Sequence, residues 1–293
     1  MADRSGPVAR LLADGRRLHL QHGPIDLVIE AWGSADEVDQ AYRQAMHRFE
    51  TVLPELVGEL PVLRARVGRF PPRLNDPVAA RMSAAVWPYR RVFITPMAAV
   101  AGAVADEILA ALLAGRSLEK AYVNDGGDIA IHLTEGQTLR AGIVGNVDVP
   151  ALDGFADIDF ASPIRGLATS GWRGRSFSLG IADSVTVLAT SGAAADAAAT
   201  VIANTVDIDH AAIERAPAST IQPDTDLGDL PVTTAVGTLP IALRDQALLR
   251  GAAKGESLRR RGLIAGAALS LQGSWRVVGD VRHGRLGHRE EAR

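Results

Sequence analysis

Apolar residues recur along this chain at two spacings, and the switches between them predict its elements. The stretch from Arg17 to Ala31 (RLHLQHGPIDLVIEA) predicts two strands joined near Gly23-Pro24, with apolar residues alternating in the second. From Ala35 to Leu60 the interval becomes helical, with Val38, Ala41, Ala45, Phe49, Val52 and Leu53 on one face; Pro54 should kink this helix or end its first part. Phe70 to Pro77 reads as a proline-rich connector, and Val78 to Val86 as a short helix. Thr95-Pro96 opens a helix of small residues, Met97 to Ala114, which Gly115 stops.

Tyr122–Val123, Ile129–Leu133 and Leu139–Val144 then read as strands of a meander, and Phe177–Ile181 with Ser184–Ala189 as another strand pair. A second small-residue helix is expected from Ser191 to Thr205, a loop rich in Asp, Pro and Thr from Ile208 to Thr238, and a helix from Ile241 to Arg261. Strands at Leu263–Leu271 and Ser274–Val278 close the pattern, with GRLGHREEAR as a loose tail. The expected class is α+β: antiparallel sheet with helices packed against it.

Gly102-Ala-Val-Ala-Asp106 recurs as Gly192-Ala-Ala-Ala-Asp196, each opening an alanine-rich helix. An internal duplication would produce this, and alanine-rich composition alone would imitate it. The copies differ at one position: Thr200 follows Asp196 by four residues, where Ala110 follows Asp106.

Composition narrows the function classes. Of 293 residues, 47% are hydrophobic and 22% charged, the balance of a globular protein with a substantial core. The net charge of −3 and the absence of a long basic run argue against nucleic acid as partner. Without cysteine there is no disulfide, thiolate metal site or cysteine nucleophile. No apolar secretory segment is visible near the N-terminus, and the Met97–Ala114 run contains Asp106 and Glu107, costly in a bilayer; the expectation is a cytoplasmic protein with no membrane partner.

Four places carry candidate chemistry. Asp196 and Thr200 share a helix face and offer two hard oxygen donors suited to Mg²⁺ or Ca²⁺, although an acid near a helix start also has a purely electrostatic use. The helix start at Ser191-Gly192 offers backbone N–H groups to a phosphate, as any helix start does. Thr169-Ser170-Gly171, with Arg173 and Arg175 just beyond, combines hydroxyls, amides and positive charge suited to phosphate. In YVNDGGDIAIH (122–132), Asn124, Asp125 and Asp128 surround Gly126 and Gly127, more oxygen than a hairpin turn needs. The seven histidines show no zinc spacing, and no phosphate-binding glycine loop or nucleophile elbow is present.

The order of these features resembles the ApbE-like superfamily, whose best-known members cleave FAD and attach FMN to a threonine or serine of a target protein. The resemblance runs from about Thr95 to Asn204: a small-residue helix after Thr95-Pro96, a strand ending in Asn124-x-Gly126-Gly127-Asp128, the loop Thr169 to Trp172, and Ser184-Val-Thr-Val187 leading to Ala195-Asp196-Ala-Ala-Ala-Thr200. It implies a duplicated T-fold, a single domain of two similar halves (about 17–145 and 163–279), magnesium on Asp196 and Thr200, and the Gly-Gly-Asp turn beside a flavin nucleotide such as FAD. It also implies a protein acceptor and leaves a homo-oligomer open. Two transferase segments differ: Pro96-Met-Ala-Ala-Val-Ala-Gly-Ala103 replaces one with paired glycines and a lysine, and Phe177 to Asp183 replaces His-x-Ile-Asp-Pro-x-Thr-Gly. Asp183 is the remaining acidic group there and the candidate catalytic residue. A pterin-type one-carbon cofactor pathway, by analogy with other T-folds, and a non-catalytic nucleotide binder are the alternative functions.

Overall fold

The structure is a computed structural model that describes residues 6–145 and 153–279. It forms two compact units, one of Met1–Gln137 with Arg165–Leu167 and Ser191–Asp196, the other of Thr138–Ile164, Ala168–Thr190 and Ala197–Arg293.

In the first unit, β1 (Val8–Leu11), β2 (Leu18–His22) and β3 (Ile25–Gly33) pair antiparallel in sequence. Gly23, at φ +56°, supplies the turn between β2 and β3. Ser34 then caps α1 (Ala35–Leu63) by accepting from the Glu37 N–H, and Asp76 caps α2 (Pro77–Val86) by accepting from Ala79. A short 3₁₀ turn, Pro96–Ala99, leads into α3 (Val100–Leu113), and β4 (Leu118–Asp125) and β5 (Asp128–Leu133) extend the sheet from β3. The alternating Ile25, Leu27 and Ile29 of β3 meet Phe49 and Val52 of α1, Met82 of α2 and Ile108 of α3 in one buried cluster. The stretch Arg165–Leu167 lies along β5, where Ile129 and Ala130 pair with Leu167 and Gly166.

Pro54 does not end α1, which continues through Pro61 as well. The buried stripe runs on past Pro54 through Leu56 to Leu63. Burying those side chains at about 1.5–3 kcal/mol each offsets the ~3 kcal/mol an internal proline costs. Pro96–Leu113 is long and apolar enough by length and composition to cross a membrane, and half of it is buried in the protein. Its acids are paired internally: Glu107 accepts from Arg48 at 2.8 Å and from Arg81 at 3.1 Å.

In the second unit, β6 (Thr138–Ile143) pairs with β7 (Gly154–Asp159) in a separate ribbon, so β6 does not continue the meander expected of it. Next come β8 (Gly166–Ser170), whose last three residues belong here, β9 (Ser184–Ala189) and α4 (Gly192–Ala203), which begins in the first unit. The stretch expected to be loop holds a ribbon of β10 (Ile213–Pro217) and β11 (Pro231–Val236), with α5 (Ala218–Ile221) between them. Helix α6 (Ile241–Arg260) packs on β12 (Gly266–Leu271) and β13 (Ser274–Val278), and β12 pairs with β9. Every strand pair registered is antiparallel, so the class is α+β as the pattern predicted.

Phe177–Ile181 is not a strand. Its polar backbone is satisfied from elsewhere: the Asn204 side chain accepts from Leu179, Thr233 donates to the carbonyls of Ser178 and Gly180, and Ile181 donates to Val206. The expected tail lies outside the described residues.

Candidate functional site

The oxygen-rich stretch is the β4–β5 hairpin. Asp125 pairs with Asp128 across a two-residue loop, and Gly126 and Gly127 take φ of +63° and +114°. Positive φ at both loop positions by itself calls for glycine. Asn124 Oδ1 accepts from the Gly127 N–H at 2.8 Å, so this side chain closes the turn. Asp125 is buried and Asp128 half-buried.

The two Gly-x-x-x-Asp copies meet in the first unit and use each other. Asp106 of α3 accepts from Gly192 at 2.8 Å and Ala193 at 2.9 Å, the first amides of α4. Asp196 of α4 returns the arrangement: its Oδ2 accepts from the Gly102 N–H at 3.1 Å, near the start of α3. The backbones touch where they cross. A Cβ on Gly102 would sit 2.3 Å from the Gly192 carbonyl oxygen, and one on Gly192 would sit 2.8 Å from that of Gly102. Ser191 Oγ takes the Ala194 N–H as well. The amides at the start of α4 that sequence alone offers to a phosphate are therefore occupied by Asp106 and Ser191.

Asp196 stands in an unfavourable field. Burial raises its pKa well above the usual carboxylate range, and the charges of Asp128 and then Asp125 raise it further; the Gly102 and Ala101 amides oppose them. The hairpin acids and Asp196 are thus brought within electrostatic reach of one another. Among the described residues, no group of three or more His, Cys, Asp or Glu side chains is placed to hold a metal ion. A cation at Asp196 would rest on one carboxylate plus neutral oxygens, and Thr200, one helical turn further along α4, carries a hydroxyl of the required kind. Oxygen donors of this type are those that Mg²⁺ takes.

In the second unit, the predicted catalytic group is held on both oxygens. Asp183 Oδ1 accepts from Trp172 Nε1 at 3.2 Å and from Arg173 Nε at 3.0 Å, and Oδ2 accepts from the Gln272 N–H at 2.5 Å. Arg173 also lies over the Trp172 ring, 4.4 Å from its centroid. Gly171 packs so closely that a Cβ would lie 2.3 Å from the Asp183 carbonyl oxygen. Thr169 shares a hydroxyl hydrogen bond of 2.8 Å with Thr186, Ser170 is half-buried at the end of β8, and Arg175 is exposed. Asp183 therefore ties the Thr169–Arg173 loop to the turn between β12 and β13.

Sequence reasoning missed three contributors. Asp106 was readable in the repeated Gly-x-x-x-Asp but lacked a role until its partner helix was in place. Gln272, at φ +46° in the turn that meets Asp183, and Asn204, which organises residues 178–179, carry no local signal.

A family model described as AbpE bacteria matches residues 9–277. A UPF0280 protein of Methanopyrus kandleri is 33% identical over 190 residues, covering 64% of this chain and 71% of that protein. UPF0280 proteins of Methanospirillum hungatei (37% over 142 residues, 47% of this chain) and Methanothermobacter thermautotrophicus (37% over 131 residues, 43%) are also similar. The chain spans about half the length of these last two, 55% and 49%. Among solved structures, flavinyl transferase ApbE of Pseudomonas stutzeri aligns with 95% of its own chain and 94% of this one, at 13% identity and a TM-score of 0.45. Flavin transferase ApbE of Vibrio cholerae aligns with 97% and 94%, at 14% identity and 0.41.

Proposed function

Because the chain belongs to the family described as AbpE bacteria, we propose that it binds a flavin nucleotide such as FAD together with Mg²⁺ and cleaves or transfers at the pyrophosphate. The observation that carries this reading is the electrostatic position of Asp196. Its carboxylate, half-buried and bonded to the Gly102 N–H, has its charge disfavoured by burial and by the charges of Asp128 and Asp125, and a bound cation would restore the ionised form.

Asp196 and the Thr200 hydroxyl are the proposed cation donors, and Asp125 and Asp128 add negative field without the geometry to ligate as a group. A cation held there supplies charge neutralisation to a pyrophosphate. In the first unit, the Asn124–Asp128 turn is proposed to shape the base or ribose pocket, with Asn124 setting the turn and the two acids offering acceptors. In the second, Thr169, Ser170 and the Gly171 amide are proposed to take phosphate oxygens, with Arg173 and Arg175 balancing charge. Asp183 keeps the proposed loop in place and acts as a positioning residue. A protein acceptor for FMN belongs to the same proposal.

Incubation of purified protein with FAD and Mg²⁺, followed by mass spectrometry, should reveal AMP and FMN in the wild type and neither in Asp196→Ala. Absence of turnover in the wild type, with flavin still bound, would favour the second reading, a non-catalytic binder. That reading is supported by Asp183, whose carboxylate accepts three hydrogen bonds from the protein and so serves to hold the loop.

A further inference from the structure

Positive charge gathers in one part of the first unit. Between Arg64 and Arg91 the sequence holds seven arginines and a single acid, Asp76, although the whole chain carries −3. Asp76 is committed to capping α2, and the neighbouring Glu59 takes the Asn75 N–H at 2.7 Å. Arg81 is paired with Glu107. Arg66, Arg69, Arg73, Arg90 and Arg91 are exposed, on the connector after α1 and on the turn after α2. The two segments are neighbours, joined by a hydrogen bond from Val67 N–H to the Ile94 carbonyl.

A largely apolar groove of about 360 Å³ lies between the connector and α2, lined by Pro71, Pro72, Leu74, Ser83, Ala84 and Trp87. Phe70 beside it is 76% exposed, a large apolar side chain left in water. The guanidinium groups are partly ordered in advance: Arg69 stacks on Phe70 at 5.6 Å, Arg90 on Trp87 at 4.7 Å and Arg66 over Phe93 at 5.9 Å. Arg90 also donates to the Trp87 carbonyl, which fixes it further. Stacking uses the face of a guanidinium and leaves in-plane N–H groups able to meet a carboxylate as a fork.

We propose that this surface docks an acidic protein segment carrying a bulky apolar side chain. Carboxylates of the segment pair with Arg66, Arg69, Arg73 and Arg91, and its apolar residue enters the groove over Trp87. Single-stranded nucleic acid fits less well, because stacking of successive bases needs a platform of open aromatic rings and one face each of Phe70, Trp87 and Phe93 is already taken by an arginine. The inference does not rest on the flavin reading, since none of these residues enters it.

The test uses the full chain and four fluorescent probes: an Asp/Glu-rich peptide with one central Phe, the same peptide with Ser for Phe, an oligo-dT of equal charge, and vesicles containing anionic phospholipid. The Phe peptide should bind most tightly by anisotropy, weaken as salt rises, and lose about tenfold in affinity when Phe becomes Ser. The charge-reversed Arg69→Glu/Arg73→Glu/Arg91→Glu protein should lose a similar factor, and so, independently, should the groove-filling Ala84→Phe, each with its melting temperature retained. Preferential binding of oligo-dT or vesicles, equal binding of the two peptides, no peptide binding, or full affinity in both folded variants would overturn the proposal.

Discussion

Asp106 shows most plainly how a single side chain gains meaning from a distant one. In isolation it is an acid in a hydrophobic helix; in the fold it accepts the first two amides of α4. Asp106→Ala should therefore cost about 1–2 kcal/mol in urea unfolding, as loss of a helix cap does, and Asp106→Asn, which keeps one acceptor, should cost less. His132 offers a test of sign. Burial, with a contribution from the Arg165 charge, lowers its pKa below 6.5, against the pull of a hydrogen bond at the Leu118 backbone. The unfolded chain then binds the extra proton first, so this contribution is complete above 6.5 and is lost as pH falls through the folded value. His132→Gln should flatten the decline of stability between neutral and mildly acid pH; an unchanged slope would remove His132 as its source. These residues were visible in the sequence as types, but neither the Asp106 partner nor the burial of His132 is a local property.

Among the elements, the long periodic segments were legible and those whose hydrogen bonds go elsewhere were not. Helix α1 and the β2–β3 and β12–β13 hairpins follow from apolar spacing and turn glycines. The strand expected at Phe177–Ile181 failed because side chains of Asn204 and Thr233, remote in sequence, satisfy its backbone. The ribbon of β10 and β11 was hidden by its content of Asp, Pro and Thr, and β1 lies with all four residues exposed, so neither shows the apolar alternation of a buried strand. The crossing of α3 and the start of α4 is the element-level feature most open to test. Gly102→Ala would press a methyl group into the Gly192 carbonyl at 2.3 Å, with backbone on both sides and no flexible side chain to move. It should destabilise by about 1–3 kcal/mol, the usual cost of overpacking. Gly68→Ala, where a Cβ meets nothing within 4 Å, is the control expected to change little by thermal melting.

For the whole molecule, the sequence carried the class and the family resemblance, whereas the shared electrostatic field of the hairpin acids and Asp196 emerges only in the fold. Family membership holds across residues 9–277, and the α+β class is seen directly. What spacing could not convey is that much of the apparent chemistry also serves the fold: Asn124 closes its own turn, Asp106 caps α4, and Asp183 anchors a loop. Asp196 differs, because its surroundings disfavour its charge and so leave it a reason to take a cation. Flavin binding is therefore expected to depend on Mg²⁺, and on Asp196 more than on Asp183. The most direct measurement is FAD binding followed by flavin fluorescence with and without Mg²⁺, in the wild type and in Asp196→Asn, whose carboxamide oxygen can still accept from Gly102. Binding that requires Mg²⁺ in the wild type and is lost in a folded Asp196→Asn is the predicted result; no binding, or equal binding by both proteins whatever the Mg²⁺, would contradict it.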